Sequence, residues 1–213
     1  MNIALVANGY LDEYLLPDIG SADFVIGVDR GAYWLLRHGV MPHIAIGDFD
    51  SVTKKELQII KKKIRRVIEQ KSHPKYKIDL ELAVGYALKR KPTEVVIYGG
   101  IGSRADHTMV AVNLLEKLLQ KNIEAKIRDS HNEVFLFDSR RTILRSRQYK
   151  YLSLLPYSSK AVVTLRGVLY PVAKHTFHRN SSLGVSNEIV GKSAEIIVHS
   201  GIVLVIQSRD RSK

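Results

Sequence analysis

In the first 130 residues short apolar runs alternate with segments of helical spacing, and few folds accommodate that pattern. Runs rich in Ile, Val and Ala recur at residues 3–7, 24–28, 44–46, 95–98 and 123–127. Between them, residues 53–69 carry Leu57, Ile60, Ile64 and Val67 on one helical face, with Lys61, Lys62 and Lys63 mostly away from it. That helix opens on Thr53 and Glu56, an S/T-x-x-E pair in which each side chain satisfies an orphan backbone N–H. Residues 79–90 and 107–120 read as two further helices, the second carrying Val110, Leu114, Leu115 and Leu118. Continuous apolar strands alternating with helices predict an α/β fold with a mostly parallel sheet covered on both faces. Ligands in such a sheet bind outside the carboxyl ends of the strands. Four strands run directly into Gly or Asp, at Asn8-Gly9, Asp29-Arg30-Gly31, Gly47-Asp48 and Gly99-Gly100. These four turns are expected to converge on one crevice.

From about residue 131 the helical period vanishes and short strands take over, at 133–137, 141–144, 151–155, 161–165, 194–199 and 202–207. Ser200-Gly201 between the last two predicts a tight hairpin. The expectation is two domains, residues 1–130 as the α/β domain and residues 131–213 as a smaller all-β sandwich. With 45% hydrophobic and 25% charged residues the chain can bury a sizeable core, which excludes disorder as its main state. It has no cysteine, so a disulfide scaffold, a zinc-thiolate site, an iron-sulfur cluster and thiol catalysis are excluded. Any metal must bind oxygen or imidazole. The segment Met1 to Gly9 lacks a basic lead and a long apolar run, and no stretch reaches membrane-spanning length, so a cytoplasmic protein with no membrane partner is expected. The formal charge of +12 admits nucleic acid, anionic lipid or small polyanions as partners. Residues 1–130 hold 20 Lys+Arg against 16 Asp+Glu and residues 131–213 hold 13 against 5, so most of the excess lies in the second half.

The carboxylates carry the chemistry. In Ile46-Gly47-Asp48-Phe49-Asp50-Ser51-Val52, residues i and i+2 of an extended chain point to one side, so Asp48 and Asp50 can present two carboxylates together. Such a pair either repels or shares a cation, and hard oxygen ligands favour Mg²⁺, which bridges readily to phosphates. The alternative is that both aspartates only end a strand and begin a turn. Asp79-Leu80-Glu81 opens a helix, where carboxylates suit the positive end of the dipole; otherwise Asp79 is a third metal ligand. Tyr98 to His107 places glycines after a strand and before a helix, as loops that bind anions through backbone N–H groups do. Arg104 can add a bidentate grip on phosphate. Asp106 reads either as the helix N-cap or as a site residue, and His107 as a first-turn packing residue or a site residue. No Gly-Lys-Ser/Thr follows, so this is not a Walker A loop. Residues 61–66 and 89–91 are charge runs of solvated helix faces.

In this order the segments resemble the thiamine pyrophosphokinase family. Its Asp-Gly-Gly-Ala turn, Gly-Asp-Phe-Asp-Ser motif, Thr-Asp-x-Glu helix start and Gly-Gly-x-Gly-Gly-Arg-x-Asp-His loop are similar to residues 29–32, 47–51, 79–81 and 99–107. Residues 167–171 and 184–188 resemble two late motifs of the same family. The resemblance implies transfer of the pyrophosphoryl group of ATP to the hydroxyethyl oxygen of thiamine, giving thiamine diphosphate and AMP. It further implies a homodimer with thiamine near the subunit interface, an ATP- and Mg²⁺-binding α/β domain and a thiamine-binding sandwich. By position, Asp48, Asp50 and Asp79 would hold Mg²⁺ and act with Arg104 in catalysis. Asp29, Gly31, Gly99, Gly100, Arg104, Asp106 and His107 would line the ATP site. Ser186 and Asn187 would lie beside thiamine, and Asp79 would accept the hydroxyl proton. The chain departs from the pattern at Arg30 and Ser103, where relatives usually carry glycine, and at Tyr76 and Ile78, where many carry a carboxylate and a hydroxyl. Lys75 and Lys77 flank that departure and are candidate direct contacts to phosphate. Two rival readings stand beside this one: a haloacid-dehalogenase-type phosphatase, because Asp48 to Val52 also fits D-x-D-x-[T/V], and a basic nucleic-acid-binding module, against which the sequence has no basic stripe interleaved with aromatics and no familiar binding signature, so no nucleic-acid partner is expected.

Overall fold

The computed structural model describes residues 1–70 and 77–210. They form two compact units, Met1–Ser130 and His131–Lys213. The first unit is an open sheet with strands β1 (Asn2–Val6), β2 (Phe24–Val28), β3 (Ile44–Gly47), β4 (Val67–Glu69), β5 (Glu94–Tyr98) and β6 (Glu124–Arg128). Its strand order is β4-β3-β2-β1-β5-β6, and every neighbouring pair is parallel. The connecting helices are α1 (Leu16–Gly20), α2 (Arg30–Arg37), α3 (Lys54–Lys63), α4 (Asp79–Leu88) and α5 (Ala105–Leu119). The chain adds strands on one side of β1 as far as β4 and then returns to add β5 and β6 on the other. The order therefore reverses beside β1, at the kind of crevice where open α/β sheets bind ligands. Val6 is registered with Gly27 on one side and Tyr98 on the other, so the loops after β1, β2 and β5 leave the sheet at one level.

Helix α3 is shorter than the 53–69 pattern predicts. It ends at Lys63, Ile64 turns to extended geometry (φ −90, ψ 122), and Val67 to Glu69 become the edge strand β4 against β3. The apolar face supports both outcomes, and the β-branched Val67 and Ile68 gain backbone partners at the open edge of β3 that a longer helix would deny them. The capping box forms: Thr53 Oγ1 accepts from the Glu56 N–H at 3.3 Å, and the Glu56 carboxylate accepts from the Thr53 N–H at 2.7 Å. Helix α2, eight residues long, was not evident from periodicity, although it buries Ala32 and Leu35.

The second unit comprises β7 (Asn132–Phe137), β8 (Arg140–Leu144), β9 (Tyr151–Pro156), β10 (Lys160–Arg166), β11 (Val172–His178), β12 (Asn187–Glu188), β13 (Ser193–Ser200) and β14 (Val203–Ser208). Antiparallel pairing orders them β7-β14-β9-β12 and β8-β13-β10-β11. Alternate residues of both sheets, among them Phe135, Phe137, Leu152, Leu154, Val163, Leu165, Ile196 and Val205, share one buried cluster, which makes the unit a sandwich. The expected hairpin at Ser200-Gly201 is not one. β13 pairs with β8 and β10 while β14 pairs with β7 and β9, so this turn carries the chain from one sheet to the other. Two alternating strands joined by Ser-Gly look the same in either arrangement. No described helix is long and apolar enough to cross a membrane.

Ile60 is fully buried in a cluster with Ala32, Ala45, Phe49 and Ile64. Ile60→Ala is expected to cost about 2–5 kcal/mol by urea denaturation and Thr53→Ala only about 1 kcal/mol. Equal losses would mean that α3 is held by its cap rather than by its apolar face.

Candidate active site

Strand β2 delivers Asp29 into a backbone conformation rare for a non-glycine residue (φ 50, ψ −126). Its Oδ1 accepts from the Phe49 N–H at 3.0 Å, which ties the end of β2 to the loop after β3. Gly47 lies beneath this carboxylate, and a Cβ there would collide with Asp29 Oδ1. Phe49, 4% exposed and also at positive φ (59°), drives its ring into the Ile60 cluster. Anchoring that ring leaves Asp48 and Asp50 outside the core on either side of it. The Asp50 N–H donates to Asp48 Oδ1 at 3.2 Å, tightening the turn. Arg30 supports the same loop, donating to the Ser51 carbonyl at 3.2 Å and pairing with Glu56 at 3.4 Å.

Asp29, Asp48 and Asp50 each offer a carboxylate oxygen within 4.8 Å of the others. The tightest trio among the described residues thus differs from the expected Asp48, Asp50 and Asp79, because the Phe49 hydrogen bond draws Asp29 inward. Asp79, the first residue of α4 and 6% exposed, acts on Asp29 through space. Burial and the charge of Asp79, with smaller pushes from Asp48 and Asp50, raise Asp29 to a pKa of about 7 against the pull of the Phe49 N–H. An all-oxygen set that raises its own proton affinity fits a hard divalent cation, which relieves the repulsion.

A crevice of about 240 Å³ adjoins the cluster, lined by Asn8, Asp29, Asp50, Ser51, Asp79, Gly99, Gly100, Ser103, Arg104 and His107. A neighbouring hollow of about 330 Å³ brings in Lys77 and Ile78 beside Asp29, Asp50, Asp79, Arg104 and His107. The loops after β1 and β5 interlock beside the 240 Å³ crevice, with the Gly9 N–H donating to the Gly99 carbonyl at 2.9 Å and the Tyr10 N–H to the Ile101 carbonyl at 2.7 Å. Gly31 is buried against the Val6 carbonyl, an approach that no side chain permits, and holds the start of α2 close to the end of β1. Asp106 is not the N-cap of α5. That place is taken by Arg104, and Asp106 clamps the Arg104 guanidinium with contacts of 2.6 and 3.2 Å. The guanidinium also feels the charge of Asp50. Four turns thus place carboxylates and a fixed cation at one switch point, which suits binding and transfer of a metal-bound polyphosphate.

Two family models cover most of the chain: "Thiamin pyrophosphokinase, catalytic domain" over residues 18–127 and "Thiamin pyrophosphokinase, vitamin B1 binding domain" over residues 140–203. Thiamine pyrophosphokinase of Bacillus subtilis is 33% identical over 204 residues, spanning 95% of this chain and 91% of that protein. The chain belongs to the thiamine pyrophosphokinase family. The crystal structure of the Bacillus subtilis protein superposes with a TM-score of 0.92 at 31% identity, covering 99% of this chain and 100% of the other. That of Geobacillus thermodenitrificans gives 0.89 at 30% identity, covering 100% and 99%. The phosphatase reading gains no support: its D-x-D motif belongs on the first strand, whereas here it follows β3. The nucleic-acid reading gains none either.

As a thiamine pyrophosphokinase family member the chain shows how its departures are accommodated. Ser103 is absent from the residues at positive φ, so a side chain fits where relatives usually carry glycine. Arg30 finds its partners in Ser51 and Glu56. Lys75 and Tyr76 lie outside the described residues, whereas Lys77 and Ile78 border the neighbouring hollow. In the second unit the two late motifs meet, with the Leu169 N–H donating to the Glu188 carbonyl at 2.9 Å and Val168 bridging Ile189. Asn187 is buried, accepts from the Tyr170 and Glu188 N–H groups at 3.0 Å and donates to the Tyr170 carbonyl at 2.9 Å. It fastens the loop rather than presenting its whole amide outward. Ser186 is exposed at φ 59, its N–H held by Ser153 Oγ at 2.9 Å. Asn8 and Ser51 line the crevice but were not singled out as site residues; the strand-end rule that found Asp29 and Gly99 covers both.

A carboxyl raised from 3.8 to about 7 favours the folded state most below its ordinary value, and that advantage disappears as the pH rises through about 7. Without divalent cation the melting temperature is therefore expected to fall between pH 5 and pH 8, and Asp29→Asn to flatten that slope. Parallel profiles for the two proteins would show that Asp29 is not the strained carboxyl.

Proposed function

We propose that this chain transfers the pyrophosphoryl group of ATP to the hydroxyethyl oxygen of thiamine, giving thiamine diphosphate and AMP, as a cytoplasmic homodimer. The observation that carries this reading is the convergence of Asp29, Asp50, Asp79 and Arg104 on one crevice, with the Asp48 carboxylate close to those of Asp29 and Asp50, at the switch point of a family-typical fold. Asp48, Asp50 and Asp79 hold Mg²⁺ in this proposal, and the short oxygen separations add Asp29 to them. Bound Mg²⁺ supplies positive charge against the polyphosphate of ATP. Gly99, Gly100 and the start of α5 receive phosphate through backbone N–H groups, with His107 beside them and Asp106 presenting the Arg104 fork in one orientation. Gly31 supports this site by letting the start of α2 approach the end of β1. Lys77 offers a further contact to phosphate from the neighbouring hollow.

Attack by the hydroxyl on the β-phosphorus releases a proton, and Asp79, buried and flanked by like charges, is the group assigned to accept it. Ser186 and the loop held by Asn187 are assigned to thiamine. Around them Leu169, Tyr170, Val185 and Val190 are 52%, 65%, 48% and 57% exposed, an apolar surface suited to an aromatic substrate and to a partner subunit.

Incubation with thiamine, ATP and Mg²⁺ should yield AMP and thiamine diphosphate in equal amounts by chromatography. ADP with thiamine monophosphate, or no thiamine-dependent AMP, would overturn the assignment. Asp50→Asn should lower kcat by about 100-fold or more with an unchanged circular-dichroism melt, because it removes charge but little volume. Lys77→Ala should raise the KM for ATP several-fold with kcat little changed; an unchanged KM removes Lys77 from the phosphate contacts.

A further inference from the structure

The second unit holds a cavity of about 760 Å³ at the ends of β9, β12 and β14, well within the size of small-molecule sites. Five cationic side chains line it, Arg145, Arg147, Lys150, Lys192 and Arg209, against the single carboxylate of Glu188. Lys150 already faces that carboxylate at 3.6 Å. Arg145, Arg147 and Lys192 make no ion pair with any described residue. Backbone bonds hold the cationic segments together, from the Arg145 N–H to the Lys192 carbonyl at 2.8 Å and from the Lys150 N–H to the Ser208 carbonyl at 3.0 Å. Like charges gathered in a concave, hydrogen-bonded frame repel one another, and an anion with several oxygens offsets that cost. One wall is aromatic. Tyr149 is 8% exposed, and Tyr151 lies under the Lys150 ammonium, 4.9 Å from its ring centre, with its hydroxyl donating to Asp210 at 3.1 Å.

We infer that this cavity is a second ligand site, for a small organic di- or triphosphate whose phosphates meet Arg145, Arg147 and Lys192. The guanidinium forks suit phosphate oxygens, and the concave shape favours a free small molecule over an extended nucleic-acid backbone. All of its residues belong to the second unit, so the inference does not rest on the function assigned to the carboxylate crevice.

The test is calorimetric titration of the full chain with ADP in EDTA, which suppresses metal-dependent binding at the crevice. Wild type should bind ADP, and Arg145→Ala/Arg147→Ala/Lys192→Ala should bind it at least about ten times more weakly, with the two proteins melting at the same temperature. Lys192→Glu alone should give the same loss should the triple variant fold poorly. Binding that survives both basic-residue variants, or no heat up to millimolar ADP, would overturn the site. Tighter binding of a single-stranded decanucleotide than of ADP would overturn the small-molecule assignment.

Discussion

The first unit is organised around the repulsion of carboxylates that the fold forces together. Asp29 is held close by the Phe49 N–H, and Phe49 is held in turn by burying its ring among Ala32, Ala45, Ile60 and Ile64. Apolar burial, which has no direction of its own, thereby fixes the direction of two charged side chains one residue to either side of the ring. A ring of that size buried here contributes on the order of 2 kcal/mol, enough to keep a strained positive-φ turn populated. The small neighbours matter as much, because Gly47 leaves the space that the Asp29 carboxylate occupies.

Much of this was legible in the sequence because it depends on chain-local rules. The alternation of strands and helices, the Thr53–Glu56 cap and the Gly or Asp endings of the strands are local signals, and each appears in the structure. What the sequence left open depends on pairing between distant segments. Residues 67–69 satisfy a helical face as well as a strand, and only the open edge of β3 decides between them. Ser200-Gly201 reads as a hairpin because nothing in two alternating strands says whether they face each other across a ladder or across a core. The same limit applies to the carboxylates. Spacing pairs Asp48 with Asp50, but that Asp29 joins them requires the hydrogen bond from Phe49, which links residues twenty apart.

Charge is divided along the chain in a way that the net value of +12 conceals. In the first unit the carboxylates sit at strand ends, partly buried, where burial raises the proton affinity of Asp29 and makes a cation welcome. In the second, cross-strand ion pairs of Arg140 and Arg166 with Glu195 satisfy some of the cations, while Arg145, Arg147 and Lys192, in the loops beyond the strand ends, are left over. Strand ends are where a sheet stops dictating side-chain direction and backbone N–H groups come free, so both units place their unbalanced charge where the fold constrains it least. An enzyme that handles a polyphosphate needs negative groups to hold metal and positive groups to hold phosphate. In the first unit both are present, Arg104 standing beside the carboxylates and paired with Asp106.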